Sequence, residues 1–333
     1  MKHRCCIAVT LVSLAASCLG GCDRQASSPP PLLPEAAVSS PMTQAQAIVQ
    51  QALVHPDPRV RANAIEVVAT TGQVRLAPGV QRLLADSSLP VRFNAVVAVG
   101  DLRYQFAADA VTGLVRDPDR NVQIAAAYAL FRLGRSEYFK VVLDAITAED
   151  QTVRANAALL LGKSGRREAL RFLWWALRHR DSADKVVLQA AESIAMLGDE
   201  RIYPKLWSRL ISAYADDRVV GIRAMGALGT AEAKNALVTM LDDPVLEVRL
   251  AAAEQLGKRG EPIGEPEVLD VFEKNLLAQR DPQDRERVTI LAALAVGEIR
   301  SPTLLKYLPP LLADPSQQVR LAAAKAVLRS ARR

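Results

Sequence analysis

Residues 153–165 read VRANAALLLGKSG, and this stretch contains the pattern that decides the fold. An Ala lies four residues after Val153, and a Leu lies eight residues after it. Offsets of 0, 4 and 8 share one face of an α-helix, so the stretch predicts a helix with a narrow apolar face. Gly165, at offset 12, is well placed to end that helix.

The same pattern recurs along the chain at spacings close to 31 residues. Every copy has Ala at offset 4 and an aliphatic residue at offset 8, and five copies have Arg at offset 1. Spacings of 28 and 40 residues flank Val248. Leucine-rich segments between the copies predict a second helix in each unit. The nine aligned positions are Val60, Val91, Val122, Val153, Val186, Val220, Val248, Val288 and Val319.

These units resemble HEAT repeats, and their short length resembles the bacterial subtype named after phycobilisome lyases. The fold predicted for residues 43–333 is therefore all-α, a right-handed α-solenoid (superhelix) of about nine HEAT-like helix pairs. One helix pair cannot bury its own apolar faces, so stacking neighbours form a continuous core. The resemblance implies that the Val-Arg helices line the concave side and that the Arg at offset 1 bonds turn aspartates of neighbouring repeats.

The first 21 residues have the layout of a secretory signal peptide, with Lys2 and Arg4 before a short apolar run. The end of this segment, Leu-Gly-Gly-Cys over residues 19–22, resembles a bacterial lipobox. In that family the chain is cut before the cysteine, which then carries the lipid, so Cys22 is the predicted lipidation site. All four cysteines of the chain lie within these first 22 residues.

Residues 22–42 are rich in Pro and Ser and have no helical or strand period, which predicts a tether. A flexible tether of this length spans roughly 25 Å. The protein is thus expected in a bacterial cell envelope, lipid-anchored to a membrane and facing the periplasm. Asp23 resembles an inner-membrane retention signal, but the sequence does not decide between the inner and outer membranes.

Candidate catalytic groups are few. The chain has three His residues, and it lacks both the His-Glu pairs of the HEAT enzymes that hold iron and a Gly-x-Ser-x-Gly motif. No Cys follows residue 22, so a cysteine metal site is excluded from the repeats. We therefore predict a protein without catalytic residues, metal or cofactor. The net charge of +6 is mild, and a nucleic-acid partner is not expected.

Two groups of side chains are candidates for binding. The first is a polar ladder at offsets 3 and 6, which point away from the packed face. Its members are Asn63, Glu66, Asn94, Tyr128, Asn156, Gln189, Glu192, Arg223 and Glu254. The second is the pair Trp174 and Trp175, flanked by arginines as in many interfaces. The alternatives are a solvated helix face for the ladder and ordinary packing between repeats for a Trp.

These features favour a non-catalytic scaffold that presents its concave face to an unknown protein partner in the envelope. On this hypothesis, Tyr128→Ala and Asn156→Ala weaken partner capture without changing stability by more than about 0.5 kcal/mol. Two other hypotheses stay open. One is an accessory enzyme or chromophore-lyase-like factor, which rests on the subtype's name. The other is a binder of a small envelope glycan or lipid, for which Trp174 and Trp175 are the cue.

Overall fold

The computed structural model describes residues 40–274 and 276–331, so the predicted signal peptide, Cys22 and most of the tether lie outside the described residues. Ser39–Arg333 is one compact unit. Its helices bury their apolar faces against one another in a continuous core, which makes this part of the chain a self-contained folding unit. The described ranges are all-α and contain no strand.

Each repeat contains an outer helix followed by an inner helix. The outer helices are short and are often extended by 3-10 turns, and in the last repeat the outer helix is split in two. They are α1 (Pro41–Ala52), α3 (Ala77–Arg82), α5 (Ala108–Gly113), α7 (Phe139–Asp144), α9 (Leu170–Arg178), α11 (Tyr203–Leu210), α13 (Ala231–Thr239), α15 (Glu265–Glu273), α17 (Pro302–Leu305) and α18 (Leu308–Leu312).

The inner helices carry the repeated Val-Ala-aliphatic pattern. They are α2 (Pro58–Thr71), α4 (Leu89–Leu102), α6 (Arg120–Arg132), α8 (Gln151–Lys163), α10 (Asp184–Met196), α12 (Ala215–Leu228), α14 (Leu246–Lys258), α16 (Pro282–Ile299) and α19 (Gln317–Ser330). The all-α solenoid of nine helix pairs predicted from the sequence is therefore confirmed for the described ranges.

The first helix starts earlier than the predicted domain boundary. Pro41 and Met42, placed in the tether by the sequence analysis, form the first turn of α1. The side chain of Ser40 accepts a hydrogen bond from the backbone N–H of Thr43, and Pro41 occupies the first helical position. A Ser cap followed by Pro is a strong helix start, so the repeat unit begins at residue 41 rather than 43.

Glycine ends many of the inner helices, as predicted. The five glycines at offset 12 all have positive φ, from 61° at Gly72 to 104° at Gly134. Glycine adopts this left-handed conformation without the penalty that a β-carbon causes. These turns lie at one edge of the solenoid, which we call the glycine rim. The opposite edge, where the inner helices begin, is the aspartate rim, because Asp57, Asp119 and Asp150 cap helices there.

The sixth repeat corrects the alignment made from the sequence. Val220 is exposed, although every anchor of the pattern was expected to be buried. The structure places Arg218 at offset 1 and Gly229, with φ 72°, at offset 12. The anchor position is therefore Asp217, 31 residues from both Val186 and Val248. Val220 was a false match because Ala and Leu also follow it at offsets 4 and 8.

The stack of repeats closes on itself. The last inner helix, α19, packs against both α1 and α2 of the first repeat. Polar contacts accompany this packing: the Nδ2 of Asn63 donates to the Oε1 of Gln318 at 2.9 Å, and Lys325 pairs with Glu66 at 2.8 Å. The described residues thus form a closed ring, with the inner helices around a central space.

Candidate functional site

The ring turns most of the predicted polar ladder toward the central space. Asn63 and Glu66 of α2 line one pocket of about 190 Å³ together with residues of α16 and α19. The same two residues, with Asn94 of α4, line a second pocket of about 200 Å³ that Leu159 and Lys163 of α8 also reach. This second pocket joins inner helices that are not neighbours in the stack, so the inner helices converge on the central space.

Polar and apolar side chains both line these two pockets. The concave face expected to receive a protein partner is not an open groove, because α19 meets α1 and α2. A protein partner has to approach a rim or the outer surface of the ring.

Tyr128 is not a surface residue, contrary to the prediction. It is 0% exposed in α6, where its hydroxyl donates to the Oδ1 of Asp101 at 2.6 Å. The guanidinium of Arg132 in turn donates to the Tyr128 oxygen at 3.0 Å. Burial, together with the charge of Asp101, raises the pKa of Tyr128 far above its ordinary value. Tyr128 therefore holds neighbouring inner helices together and is unavailable to a partner.

Other members of the ladder bond to each other or to neighbours. The amide of Asn156 donates to the side-chain oxygen of Asn121 at 2.9 Å, joining α8 to α6. Gln189 donates to Glu192, one turn further along α10, at 3.0 Å. These contacts give Asn156 a structural role, and they leave Asn63, Glu66 and Asn94 as the ladder members that line pockets.

Arg223 and Glu254 extend the ladder on the far side of the ring. With the corrected register, Arg223 lies at offset 6, the same offset as Glu254. Glu254 is half-buried, and burial raises its pKa despite the opposing charges of Lys325 and Arg223. A carboxylate held this way is costly to ionise.

Trp174 and Trp175 are unequally buried, and the alternative of ordinary packing between repeats applies to Trp174. The indole of Trp174 is half-buried and donates to the Oδ2 of Asp199 at 3.0 Å. A hydrogen bond from Arg201, followed by the one from Trp174, holds the pKa of Asp199 well below its ordinary value. Trp175 is more exposed and stacks on His179 at a centroid distance of 4.4 Å. Trp174 therefore belongs to inter-repeat packing, and only Trp175 presents a free ring edge.

The sequence analysis missed a stripe of exposed aromatic and apolar side chains on α11 and the turn after it. We call it the α11 stripe, and it consists of the exposed Trp207, Ile211 and Tyr214 and of Tyr203, which is half-buried against the core. The rings of Tyr203 and Trp207 stack with centroids 6.3 Å apart. Ile211 is 66% exposed and Tyr214 is 75% exposed. The spacings of four, four and three residues were the signal, hidden because the outer helices do not follow the repeat pattern.

The arginines at offset 1 are structural, as the resemblance implied. Each donates to the backbone carbonyl oxygen six residues earlier, in the turn before its own helix. Four of them also pair with an aspartate of the next repeat. These pairs are Arg61–Asp86, Arg92–Asp117, Arg154–Asp181 and Arg218–Asp243, at 2.8, 3.5, 3.5 and 2.8 Å.

Within residues 40–274 and 276–331, no group of three or more His, Cys, Asp or Glu is arranged to hold a metal ion. In the same ranges, no helix combines the length and apolarity needed to cross a bilayer.

The closed stack of helix pairs places the protein in the class of α-solenoid repeat proteins. The family model for HEAT repeats matches residues 45–131, 77–150, 139–220 and 204–292. The chain belongs to the HEAT-repeat family. Comparison with curated protein sequences gives no match.

Solved structures with the same type of fold share little sequence with this chain. Human deoxyhypusine hydroxylase in complex with glycerol is 18% identical, with a TM-score of 0.36 over 79% of this chain and 98% of the other. The complex of CpcE and CpcF of phycocyanin lyase from a Nostoc species is also 18% identical. Its TM-score is 0.44 over 75% of this chain and 100% of the other.

Proposed function

We propose that this protein is a non-catalytic, protein-binding scaffold, tethered by a lipid on Cys22 to a membrane of the bacterial cell envelope. The α11 stripe is the observation that carries the proposal. Isolated apolar residues on a surface need no explanation, but a contiguous exposed stripe marks an interaction site. Trp and Tyr dominate such sites because a rigid ring contributes a large contact area at little entropic cost.

The shape of the ring supports an external site. Because α19 closes the ring against α1 and α2, a folded partner contacts the outer helices or a rim. The α11 stripe lies on an outer helix and the turn after it, where Ile211 and Tyr214 are 66% and 75% exposed. The partner that fits it is a protein with an apolar surface able to cover the exposed rings of Trp207 and Tyr214 and the side chain of Ile211.

The envelope location rests on sequence features outside the described residues. The basic start, apolar run and lipobox-like end at Cys22 support export and lipidation. More than one acyl chain gives a stable anchor, since each buried methylene contributes about 0.8 kcal/mol. A Cys22→Ala variant is expected to leave the membrane fraction of cells, and its retention there to the wild-type extent would contradict the tether.

The binding role is tested by crosslinking in intact cells followed by affinity capture of the tagged protein. The test variant is Ile211→Ser with Tyr214→Ser. The matched control is Val54→Ser with Val141→Ser, which removes two exposed apolar side chains elsewhere on the surface. We expect a discrete protein to be captured by the wild type and the control but not by the test variant. Equal capture by both variants would exclude the α11 stripe as the binding site.

A small polar ligand is the second candidate, because Asn63 and Glu66 contribute to two neighbouring pockets of the central space. Such a ligand is expected to raise the melting temperature of the wild type and not that of Asn63→Leu. The hypothesis of an accessory enzyme or chromophore-lyase-like factor stays a hypothesis, with no described residue assigned to catalysis.

A further inference from the structure

A basic pocket opens at the glycine rim, between the ends of α4, α6 and α8. Its volume is about 490 Å³. Four cationic side chains line it, together with the hydroxyl-bearing residues Ser136 and Ser164. The four cations are Arg103, Arg132, Lys163 and Arg166.

Most of the positive charge in this pocket is uncompensated. Lys163 pairs with Asp101 at 2.8 Å. Arg132 donates only to neutral acceptors, the hydroxyl of Tyr128 and the backbone oxygen of Lys163, both at 3.0 Å. In the described chain, neither Arg103 nor Arg166 has a carboxylate partner. Arg166 lies instead over the ring of Phe131, 5.4 Å from its centroid.

Acidic residues on the same rim do not neutralise the pocket. Glu137 and Glu168 lie in the 3-10 turns that precede α7 and α9, and both are exposed. Within the described ranges, neither forms an ion pair with the four cations. Helix C-termini attract cations, which accounts for Arg132 and Lys163 at the ends of α6 and α8. The same effect does not account for Arg103, which lies past the end of α4 with no partner for its guanidinium.

Arg103 also has an unfavourable backbone conformation. Its φ is 50°, at the position where six other repeats have a left-handed glycine. A residue with a β-carbon is strained there, and strain of this kind often persists at binding sites. Arg300 is the matching exception in the eighth repeat, with φ 61°, but it lies 3.9 Å from the carboxylate of Glu298. Arg103 therefore keeps a strained, unpaired cation at the mouth of the pocket.

An exposed aromatic ring follows Arg103 closely in the sequence. Phe106, three residues after Arg103, is 85% exposed, the largest exposure among the large apolar side chains of the described residues. Among the aromatic rings of the described residues, only the ring of Tyr104 contacts it, at a centroid distance of 5.5 Å. Aromatic rings next to basic side chains are typical of surfaces that enter the headgroup layer of a membrane.

The position of the chain entry agrees with this chemistry. A short turn joins α1 to α2, so the two helices form an antiparallel hairpin. The start of α1 therefore lies at the rim where α2 ends, which is the glycine rim. Ser40, the residue that caps α1, is on the same edge as Arg103, Phe106 and Arg166.

We propose that this rim pocket binds the phosphate of an anionic phospholipid while Phe106 enters the headgroup layer, so that the glycine rim faces the membrane. The inference rests on the membrane location proposed above and adds an orientation to it. The aspartate rim and the α11 stripe then stay accessible to a protein partner.

The test uses residues 40–333, which form a folding unit and lack Cys22, so its result is independent of lipidation. Binding is measured by sedimentation with phosphatidylcholine vesicles with and without about 30% phosphatidylglycerol, because basic residues respond to anionic lipid. The test variant is Arg103→Gly, which installs the residue that other repeats have there. The control is Arg300→Gly, which makes the same change away from the pocket.

We expect binding only to the anionic vesicles, and about fivefold weaker binding for Arg103→Gly, the ratio that corresponds to about 1 kcal/mol per basic residue. The same variant should melt at a higher temperature, because the backbone strain is removed. Arg300 lies on the same rim but outside the pocket, so Arg300→Gly should lose less binding than Arg103→Gly does, and Phe106→Ser should bind more weakly than the wild type.

Three results would overturn the proposal. They are equal binding to both kinds of vesicle, equal loss for Arg103→Gly and Arg300→Gly, and no binding to either kind of vesicle. If inorganic phosphate instead raises the melting temperature of the wild type but not of Arg103→Gly, and vesicles do not bind, the pocket takes a soluble phosphate compound. Failure here leaves the Cys22 and α11 experiments unaffected, so the two proposals fail separately.

Discussion

The carboxylate of Glu66 lies 2.8 Å from the ammonium of Lys325, across 259 residues of sequence. The pair joins the first and last inner helices and places both ends of the repeat array in contact. A HEAT array that closes in this way has two rims and an outer surface, and its inner face becomes a set of small pockets. Binding hypotheses for this protein therefore concern the outside of the ring.

The Glu66–Lys325 pair is expected to contribute little to the stability of the closed ring. Glu66 is 59% exposed, and exposed pairs contribute at most about 1 kcal/mol. A double-mutant cycle of Glu66→Gln and Lys325→Met, measured by urea unfolding, is expected to give a coupling energy below about 1 kcal/mol. A coupling several times larger would mean that the ion pair, rather than the packing of α19 on α1, closes the ring.

Tyr128 is expected to be important for stability and not for binding. Tyr128→Phe leaves Asp101 without one donor and Arg132 without one acceptor, which costs about 1–3 kcal/mol. Tyr128→Ala also leaves a cavity and is expected to cost about 3–5 kcal/mol. Chemical denaturation checks both values. A loss below about 0.5 kcal/mol for Tyr128→Ala would instead restore the surface position that the sequence suggested.

The buried Arg218–Asp243 pair is expected to contribute more to stability than an exposed ion pair does. Two nitrogens of Arg218 donate to the two carboxylate oxygens of Asp243, at 2.8 and 2.9 Å. Arg218→Met leaves that buried carboxylate unpaired and is expected to cost about 3–5 kcal/mol. Arg59→Met is the matched control, because Arg59 is 86% exposed in its pair with Asp57. Similar losses for both variants would show that the repeat interface does not bury the Arg218 pair.

The raised pKa of Glu254 predicts a pH-dependent stability difference. A folded-state pKa above the unfolded value means that the ionised carboxylate opposes folding at neutral pH. Glu254→Gln is therefore expected to raise the melting temperature at pH about 7, and the gain should vanish as the pH falls through the folded pKa toward the unfolded value. Glu232→Gln, at an exposed position on α13, is the control. A gain that persists in acid would contradict the assignment.

Much of the local structure could be predicted from the sequence, because each repeat contains the residue pattern that specifies its inner helix. Val153, Ala157 and Leu161 repeat at fixed offsets, and Gly165 marks the left-handed end. The bond from Arg61 to Asp86 also follows from the family resemblance. The register of the sixth repeat was predicted wrongly because Val220 satisfies the pattern by chance, whereas its true anchor, Asp217, is polar.

The ring closure and the binding surfaces could not be predicted in the same way. Closure is the sum of small rotations between repeats, and no single residue encodes that sum. The burial of Tyr128 depends on Asp101 in the preceding repeat, so its offset alone misplaced it on the surface. Trp207 lies outside the shared pattern, where a repeat alignment gives no expectation of exposure. Arg103 stands at offset 12 in place of the usual glycine, and the alignment does not show that its side chain lines a pocket.

Closure of the ring is the central claim, and a thiol crosslinking test addresses it directly. The chain has no Cys after residue 22, so Asn63→Cys with Gln318→Cys forms a unique pair in residues 40–333. The native side chains are in hydrogen-bond contact at 2.9 Å, as are those of the control pair Asn121→Cys with Asn156→Cys in neighbouring inner helices. After treatment with a short bismaleimide, which does not require the close approach of a disulfide, the account predicts an intramolecular crosslink in both proteins, seen as faster migration on a denaturing gel. A crosslink in the control pair alone would show that the first and last repeats are apart and that the array is open.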